Sequence, residues 1–218
     1  MNEPFLRSVL LEAEGIFHGF GTRALEADAA LFASLRASSA RQVHGTRVLW
    51  VGEDTRPPEE EADALATHEA RLVSVRTADC VPILLADRRG GRVAAVHAGW
   101  RGTIARIVER AVESLVRAGS TAEDLVAAIG PSIGRCCYEV SPELAARFED
   151  AFGPTVRAGR RLDLREANRI SLEACGLSPS HVETIDVCTF CDGRFHSFRR
   201  EGESAGRQHS FVRGGSVS

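Results

Sequence analysis

Lysine does not occur in this 218-residue sequence, and all 27 basic residues are arginine. A lysine Schiff base and a Walker-type phosphate lysine are thereby excluded. Anion recognition falls to arginine, protonated histidine or backbone N–H groups. A basic excess is missing as well: the net charge is −3 with seven histidines counted neutral, so nothing draws in nucleic acid or an anionic membrane. No apolar run approaches the length of a membrane span, and the longest, residues 81–86, suits a buried strand. The opening Met1-Asn-Glu-Pro has neither the basic nor the apolar region of a secretory signal. The expectation is a cytoplasmic protein whose six cysteines are thiols or ligands rather than disulfides. Internal repeats and low-complexity segments are absent too.

What is present is ordinary for a globular chain with a core: 44% apolar and 26% charged residues, enough for one large domain over residues 1–218 or two small ones, with nothing that demands a split. Strand and helix signals alternate. Strands are expected at residues 16–20, 47–51, 72–75, 81–86, 93–97, 125–129, 182–187 and 195–198, the last closing the sheet. The Gly-rich connection from Asp87 to Gly91 reads as a hairpin. Helices are expected at 24–35, at 104–116 ending near Gly119, from Ser141-Pro142 onward, and at 164–175 before Gly176. Residues 53–61 read as an acidic surface loop, and the tail from Arg213 as frayed. Hairpins mixed with helical crossovers predict an α/β (α+β) domain with mixed sheets rather than a regular doubly wound fold.

Three segments share one grammar, a strand end followed by a residue with lone pairs: Gln42-Val-His-Gly45, Thr77-Ala-Asp-Cys80, and Val96-His-Ala-Gly-Trp-Arg-Gly102. Strand ends present reactive groups from a rigid sheet. His44, Cys80 and His97 are ligand types for a borderline-soft zinc ion, and three protein ligands leave a fourth position open, the mark of a catalytic site. Their spacing matches no short zinc motif, and each taken singly also reads as an ordinary core or loop residue. After His97 a Gly-Trp-Arg-Gly turn opens a helix. Arg101 and Thr103 stand at that helix start, where a phosphate would be received; the alternative is a plain tight turn with Trp100 as packing.

The other cysteines suggest less. Cys188-Thr-Phe-Cys191 has CxxC spacing, but it follows a strand and no second pair stands at knuckle spacing, so buried thiols are expected rather than a structural zinc. Cys136 and Cys137 are adjacent, so at most one is expected to face a given site. The arginines and aromatics between Phe195 and Arg207 suggest a solvated strand edge, or an arginine reaching one anionic group of a substrate.

Together these segments carry a resemblance. The pieces are His18-Gly-Phe-Gly-Thr-Arg23, Gln42-Val-His-Gly45, Glu61-Ala-Asp-Ala-Leu65, Thr77-Ala-Asp-Cys-Val-Pro-Ile83, Ala95-Val-His-Ala-Gly-Trp-Arg-Gly102, Ile129-Gly-Pro-Ser-Ile-Gly134, Cys136-Cys-Tyr-Glu-Val140, Cys188-Thr189 and Phe198-Arg-Arg200 with Gly206-Arg207. In this order they resemble the YfiH-type family, also called laccase-domain or multicopper polyphenol oxidase proteins and later reassigned as purine nucleoside phosphorylases. The resemblance implies a layered α-β-β-α fold and zinc on His44, Cys80 and His97. It implies phosphorolysis of adenosine, inosine, guanosine and methylthioadenosine, with adenosine deamination as a side activity. One departure stands out: the family follows the first arginine with Gly-Gly-Val-Ser, whereas Arg23 is followed by Ala-Leu-Glu-Ala.

The resulting expectation is a zinc ion with inorganic phosphate as co-substrate. Arg101 and Arg23 are the candidate phosphate anchors, and Asp79 a proton shuttle or an orienting partner. Three other readings are weighed: a metal-free cysteine hydrolase or amidase with Cys80 as nucleophile and His97 as base, a copper-dependent oxidase of phenols, and a binding protein whose metal is only structural. A single methionine and the lack of clustered histidine pairs speak against several coppers.

Overall fold

The computed structural model describes residues 3–52 and 60–215. Its centre is the expected hairpin, strands β6 (Val81–Asp87) and β7 (Val93–Ala98). The buried Asp87 carboxylate closes the turn by accepting from the amides of Arg89 and Gly90 and from the Ser120 hydroxyl. Strand β8 (Leu125–Ile129) pairs antiparallel with β6, and β4 (Ala64–Thr67) with β7. Strands β3 (Val48–Trp50) and β11 (Val182–Thr184) join in parallel at the two edges. The six strands run β11-β8-β6-β7-β4-β3, while β9 (Arg157–Ala158) and β10 (Arg161–Leu162) pair antiparallel in a separate short ribbon.

Period-two alternation makes both faces of this sheet apolar. Ile83, Leu85, Ala94, Val96, Ala127 and Ile129 face one side, where they meet helices α5 (Ile107–Arg117), α6 (Pro142–Phe152) and α7 (Leu164–Ala174). The α5 stripe Ile107, Val108, Ala111, Val112 and Leu115 recurs at helical spacing and is buried. Ser141 caps α6 through its hydroxyl with Pro142 at the first helical position, and Asp163 caps α7.

Leu84, Ala86, Val93, Ala95, Val126 and Ala128 face the other side. They meet an antiparallel sheet of order β1-β2-β12-β5, formed by β1 (Phe5–Leu6), β2 (His18–Gly21), β12 (Gln208–Arg213) and β5 (Leu72–Thr77). Phe20, Val73, Val75 and Val212 supply its inner face. Helix α1 (Val9–Ala13) adds Leu11 to the same core. Its first turn is tied to β11 by the Glu183 carboxylate, which accepts from the Ser8 hydroxyl and the Leu10 amide. Helix α2 (Arg23–Ala27) packs Leu25 against Gly21, outside the four-stranded sheet. The layering is therefore α-β-β-α.

Several local expectations are corrected. The helix read over 24–35 is two helices, α2 and α3 (Ala29–Leu35), because Asp28 leaves helical geometry and turns its carboxylate onto the Leu31 amide. The helix read over 104–116 is α4 (Trp100–Ile104) and α5, separated by Arg106 at φ +68°. Residues 195–198 do not close a sheet; they run as loop into α8 (Phe198–Glu201), capped by Ser197. The closing strand is β12, further along the same segment. The tail is tied down as far as Gly215, whose amide donates to Gly91, and Gly214 donates to Arg71. Most of the acidic stretch, residues 53–59, lies outside the described residues.

Candidate metal centre

Strand register builds the site. Val81 pairs with Ala98, so Cys80, one residue before β6, stands beside Gly99, one residue after β7. Ala64 pairs with Val96, so Asp63 stands beside His97, and the His97 amide donates to the Asp63 carbonyl at 2.7 Å. His44 enters from the loop before β3. Its Nε2 lies 3.9 Å from Cys80 Sγ, and its ring meets that of His97 edge-on at 4.8 Å between centroids. One ligand atom from each of His44, Cys80 and His97 falls within 4.8 Å of the others.

Asp63 organises two of these three residues. Its fully buried carboxylate accepts from His97 Nδ1 at 2.8 Å and from the amides of Val43, His44 and Gly45 at 3.1, 2.9 and 2.7 Å. The first bond leaves Nε2 of His97 turned toward the centre. The other three hold the loop at His44, whose φ of +60° is left-handed. Gly99 keeps the space open: a Cβ there would come within 2.9 Å of His44 Cδ2 and 3.0 Å of Cys80 Sγ.

Asp79 carries the second left-handed backbone, φ +84°. Its Oδ1 accepts from the Thr189 hydroxyl at 2.7 Å, and its Oδ2 from the Ser197 hydroxyl and the Arg199 amide. With these partners the carboxylate ties the turn before Cys80 to the segments at Thr189 and at Ser197–Arg199.

Electrostatics follow from the contacts. Burial raises the Cys80 thiol, but hydrogen bonds and charge from His44 and His97 outweigh it and bring the pKa down to about 6. Burial lowers His97, but the bonds to Asp63 and Cys80 lift it to about 9. Burial and the neighbouring Cys80 charge push the Tyr138 phenol up to about 12 against the opposing Arg199 and Arg101.

The centre opens into a cavity of about 690 Å³ lined by Tyr138, Ile133 and Phe198 and by three arginines, Arg76, Arg199 and Arg207. Three residues expected at a substrate are not part of its lining. Arg23 donates to the Phe195 carbonyl and pairs with Glu201, beneath the loop before α8. Thr103 is buried on α4, its hydroxyl accepting from Asn168. Arg101 is exposed and lies over the Trp100 ring at 4.3 Å, outside the cavity lining, on a helix of only five residues. Asp63, Tyr138 and the three cavity arginines were not singled out as site residues in the sequence, although Arg199 and Arg207 lie in the segment read as able to reach an anion.

The expectation for the remaining cysteines is also corrected. Sγ atoms of Cys136, Cys137, Cys188 and Cys191 all lie within 4.8 Å of one another. Both adjacent residues face Cys191, at 3.9 and 3.3 Å. The partner of the CxxC pair is a vicinal pair on another loop, a spacing that no knuckle pattern contains.

Residues 22–214 match the family model described as multi-copper polyphenol oxidoreductase laccase. The chain belongs to this family. Relatives include a purine nucleoside phosphorylase of Deinococcus radiodurans, 40% identical over 87% of this chain and 75% of that protein, and an adenosine deaminase from an unknown prokaryotic organism, 39% identical over 77% and 71%. Among solved structures, YlmD from Geobacillus stearothermophilus superposes with a TM-score of 0.85 at 28% identity, covering 99% of this chain and 98% of that one. The hypothetical protein YfiH of Bacillus licheniformis gives 0.83 at 27%, covering 97% of each. The family description names several coppers. Among the described residues of this member, His, Cys, Asp and Glu donors form two compact groups, the His44-Cys80-His97 centre and the four cysteines.

Proposed function

We propose that this chain is a purine nucleoside phosphorylase with a zinc ion on His44, Cys80 and His97. The proposed substrates are adenosine, inosine, guanosine and methylthioadenosine, with adenosine deamination as a side activity. The observation that carries the reading is the donor set itself: one thiolate-forming sulfur and two imidazoles within 4.8 Å of one another, one imidazole braced by a buried carboxylate, facing a cavity. The names of the relatives supply the chemistry to test.

The residues fit the ion: the sulfur and imidazole donors suit zinc, the Asp63 contact sets the tautomer of His97, and Gly99 leaves room between two of the ligands. When bound, zinc supplies Lewis acidity toward an oxygen ligand. The protein groups do the rest. Arg76, Arg199 and Arg207 give the cavity a cationic wall that receives phosphate, the role for which no lysine is present. Phe198 and Ile133 offer apolar surface to a purine, and Tyr138, held protonated at neutral pH, offers a donor. In phosphorolysis a phosphate oxygen bonds to C1′ of the ribose as the bond from C1′ to the purine nitrogen breaks. The electron pair leaves with the base, and the proton carried by monohydrogen phosphate ends on that nitrogen.

The test is a phosphate-dependent screen of purine nucleosides, with free base and inosine followed separately, before and after chelation. Wild type is expected to release base only with phosphate and to lose activity on chelation. Cys80→Ala is expected to lose both zinc and turnover. Full turnover by metal-free Cys80→Ala protein ends the proposal. Stoichiometric metal also separates it from a Cys80-His97 hydrolase, which would hold none and would be inactivated by iodoacetamide.

A further inference from the structure

We propose that Cys136, Cys137, Cys188 and Cys191 form a second metal site, a four-thiolate zinc site that braces one wall of the cavity. The two loops that carry them are aligned by the backbone. Ser132 bridges Cys188, with the Ser132 amide donating to Val187 and the Thr189 amide to Ser132. Each loop then turns tightly: the amides of Cys137 and Tyr138 donate to Gly134, and those of Cys191 and Asp192 to Cys188. These turns bring two sulfurs from each loop to one point.

The spacing decides between a metal and a disulfide. Tetrahedral zinc–sulfur bonds of about 2.3 Å require sulfurs about 3.8 Å apart, whereas a disulfide needs about 2.05 Å. The separations of 3.9 and 3.3 Å, with all four sulfurs inside 4.8 Å, bracket the tetrahedral edge. A redox pair would also need two cysteines, and here four converge.

The surroundings of Cys188 suit a thiolate. The Gly134 amide donates to Cys188 Sγ at 3.2 Å, and a Cβ on Gly134 would press on the Arg165 guanidinium at 3.0 Å, on Cys136 Sγ at 3.2 Å and on Cys188 at 3.3 Å. An arginine thus stands beside a centre that four thiolates around a divalent ion would leave doubly negative. Cys136 and Cys191 are exposed, so the ion has an entry path.

Both loops lead into the cavity. Tyr138 follows Cys137 directly and lines it, and Thr189, next to Cys188, donates to Asp79 beside Cys80. A metal on the four cysteines would lock those two contacts from behind without touching substrate.

The inference is independent of the nucleoside reading, because metal is counted rather than turnover. Full-length wild-type protein is expected to hold two zinc ions per chain. The His44→Ala/Cys80→Ala double variant is expected to keep one, and on cobalt substitution to show the intense sulfur-to-metal absorption of a four-thiolate centre. Cys188→Ser/Cys191→Ser is expected to lose one zinc and to unfold at a lower temperature. Should that variant fail to fold, alkylation of wild type mapped by peptide mass keeps the question open to refutation: all four cysteines are expected to be protected by zinc and released by chelation. The proposal is overturned if the His44→Ala/Cys80→Ala protein holds no metal, if zinc leaves the alkylation of the four cysteines unchanged, or if the intact protein holds no second metal and is about 2 Da lighter, as a Cys137–Cys191 disulfide requires.

Discussion

Asp63 uses both carboxylate oxygens on the proposed centre, one on His97 and the His44 amide, the other on the amides of Val43 and Gly45. An asparagine keeps the shape but offers one acceptor oxygen, so its NH2 faces groups that also donate. Asp63→Asn is therefore expected to weaken zinc binding about 10–100-fold. It should also cost roughly 2 kcal/mol of stability from buried donors left unpaired. Zinc titration against a competing chelator and the urea midpoint check the two effects, and wild-type zinc affinity would show that the brace does not matter. Gly99→Ala makes a narrower test. Its Cβ would strike His44 and Cys80 and nothing else within 3.4 Å, so zinc content should fall while circular dichroism stays that of wild type; full zinc occupancy would refute the steric argument. His44, Cys80 and His97 were legible in the sequence because donor atoms at strand ends stand out by type. Asp63 was not, because its role comes from the register of β4 on β7, which residue order alone does not reveal.

Helix boundaries show what local patterning misses. The apolar periodicity of residues 24–35 and 104–116 runs through Asp28 and Arg106, yet the backbone breaks at each. At Asp28 a side chain competes for backbone donors. At Arg106 the left-handed turn is held by tertiary contacts, the guanidinium donating to the Ala151 carbonyl and lying 4.1 Å over the Phe152 ring, and by a local pair with Glu109 in the first turn of α5. Strand β12 was hidden for another reason, since its run from Gln208 to Arg213 sits inside a basic, polar segment and is fixed by pairing with β2 and β5. Elements with continuous apolar runs or caps, such as β8 and α6, fell where the sequence placed them. Arg36 offers a test at this scale. It caps α3 in a left-handed conformation, φ +46°, that glycine adopts without penalty. Arg36→Gly is expected to raise stability by up to about 1 kcal/mol, read as a higher urea midpoint; a lower midpoint would mean that the arginine side chain contributes more than its backbone costs.

At the scale of the molecule, the cavity opens where the two sheets meet, Arg76 belonging to the four-stranded sheet and His97 to the six-stranded one. The four-stranded sheet contains two histidines that the fold keeps neutral. Burial lowers His18, whose Nδ1 donates to the Ile16 carbonyl while Nε2 accepts from the Ser8 amide. Burial, helped by the Arg76 charge and opposed by Glu26, lowers His209 to about 4. A histidine whose folded pKa is depressed binds fewer protons folded than unfolded, so stability is full above the unfolded value near 6.5. It falls as pH drops toward the folded value, and below that the loss is complete. For His209, partly open to solvent, the loss at about pH 5 is roughly 1–2 kcal/mol. The lowered carboxylates Asp63 and Asp87 keep their stabilisation through this window, because they lose it only as pH falls through their still lower folded values. Urea midpoints at about pH 7.5 and pH 5, both with a chelator so that metal release does not enter, should therefore change less favourably on acidification in wild type than in His209→Gln, the opposed shifts of Cys80 and His97 being common to both proteins. Equal changes in the two proteins would place the acid sensitivity elsewhere than at His209.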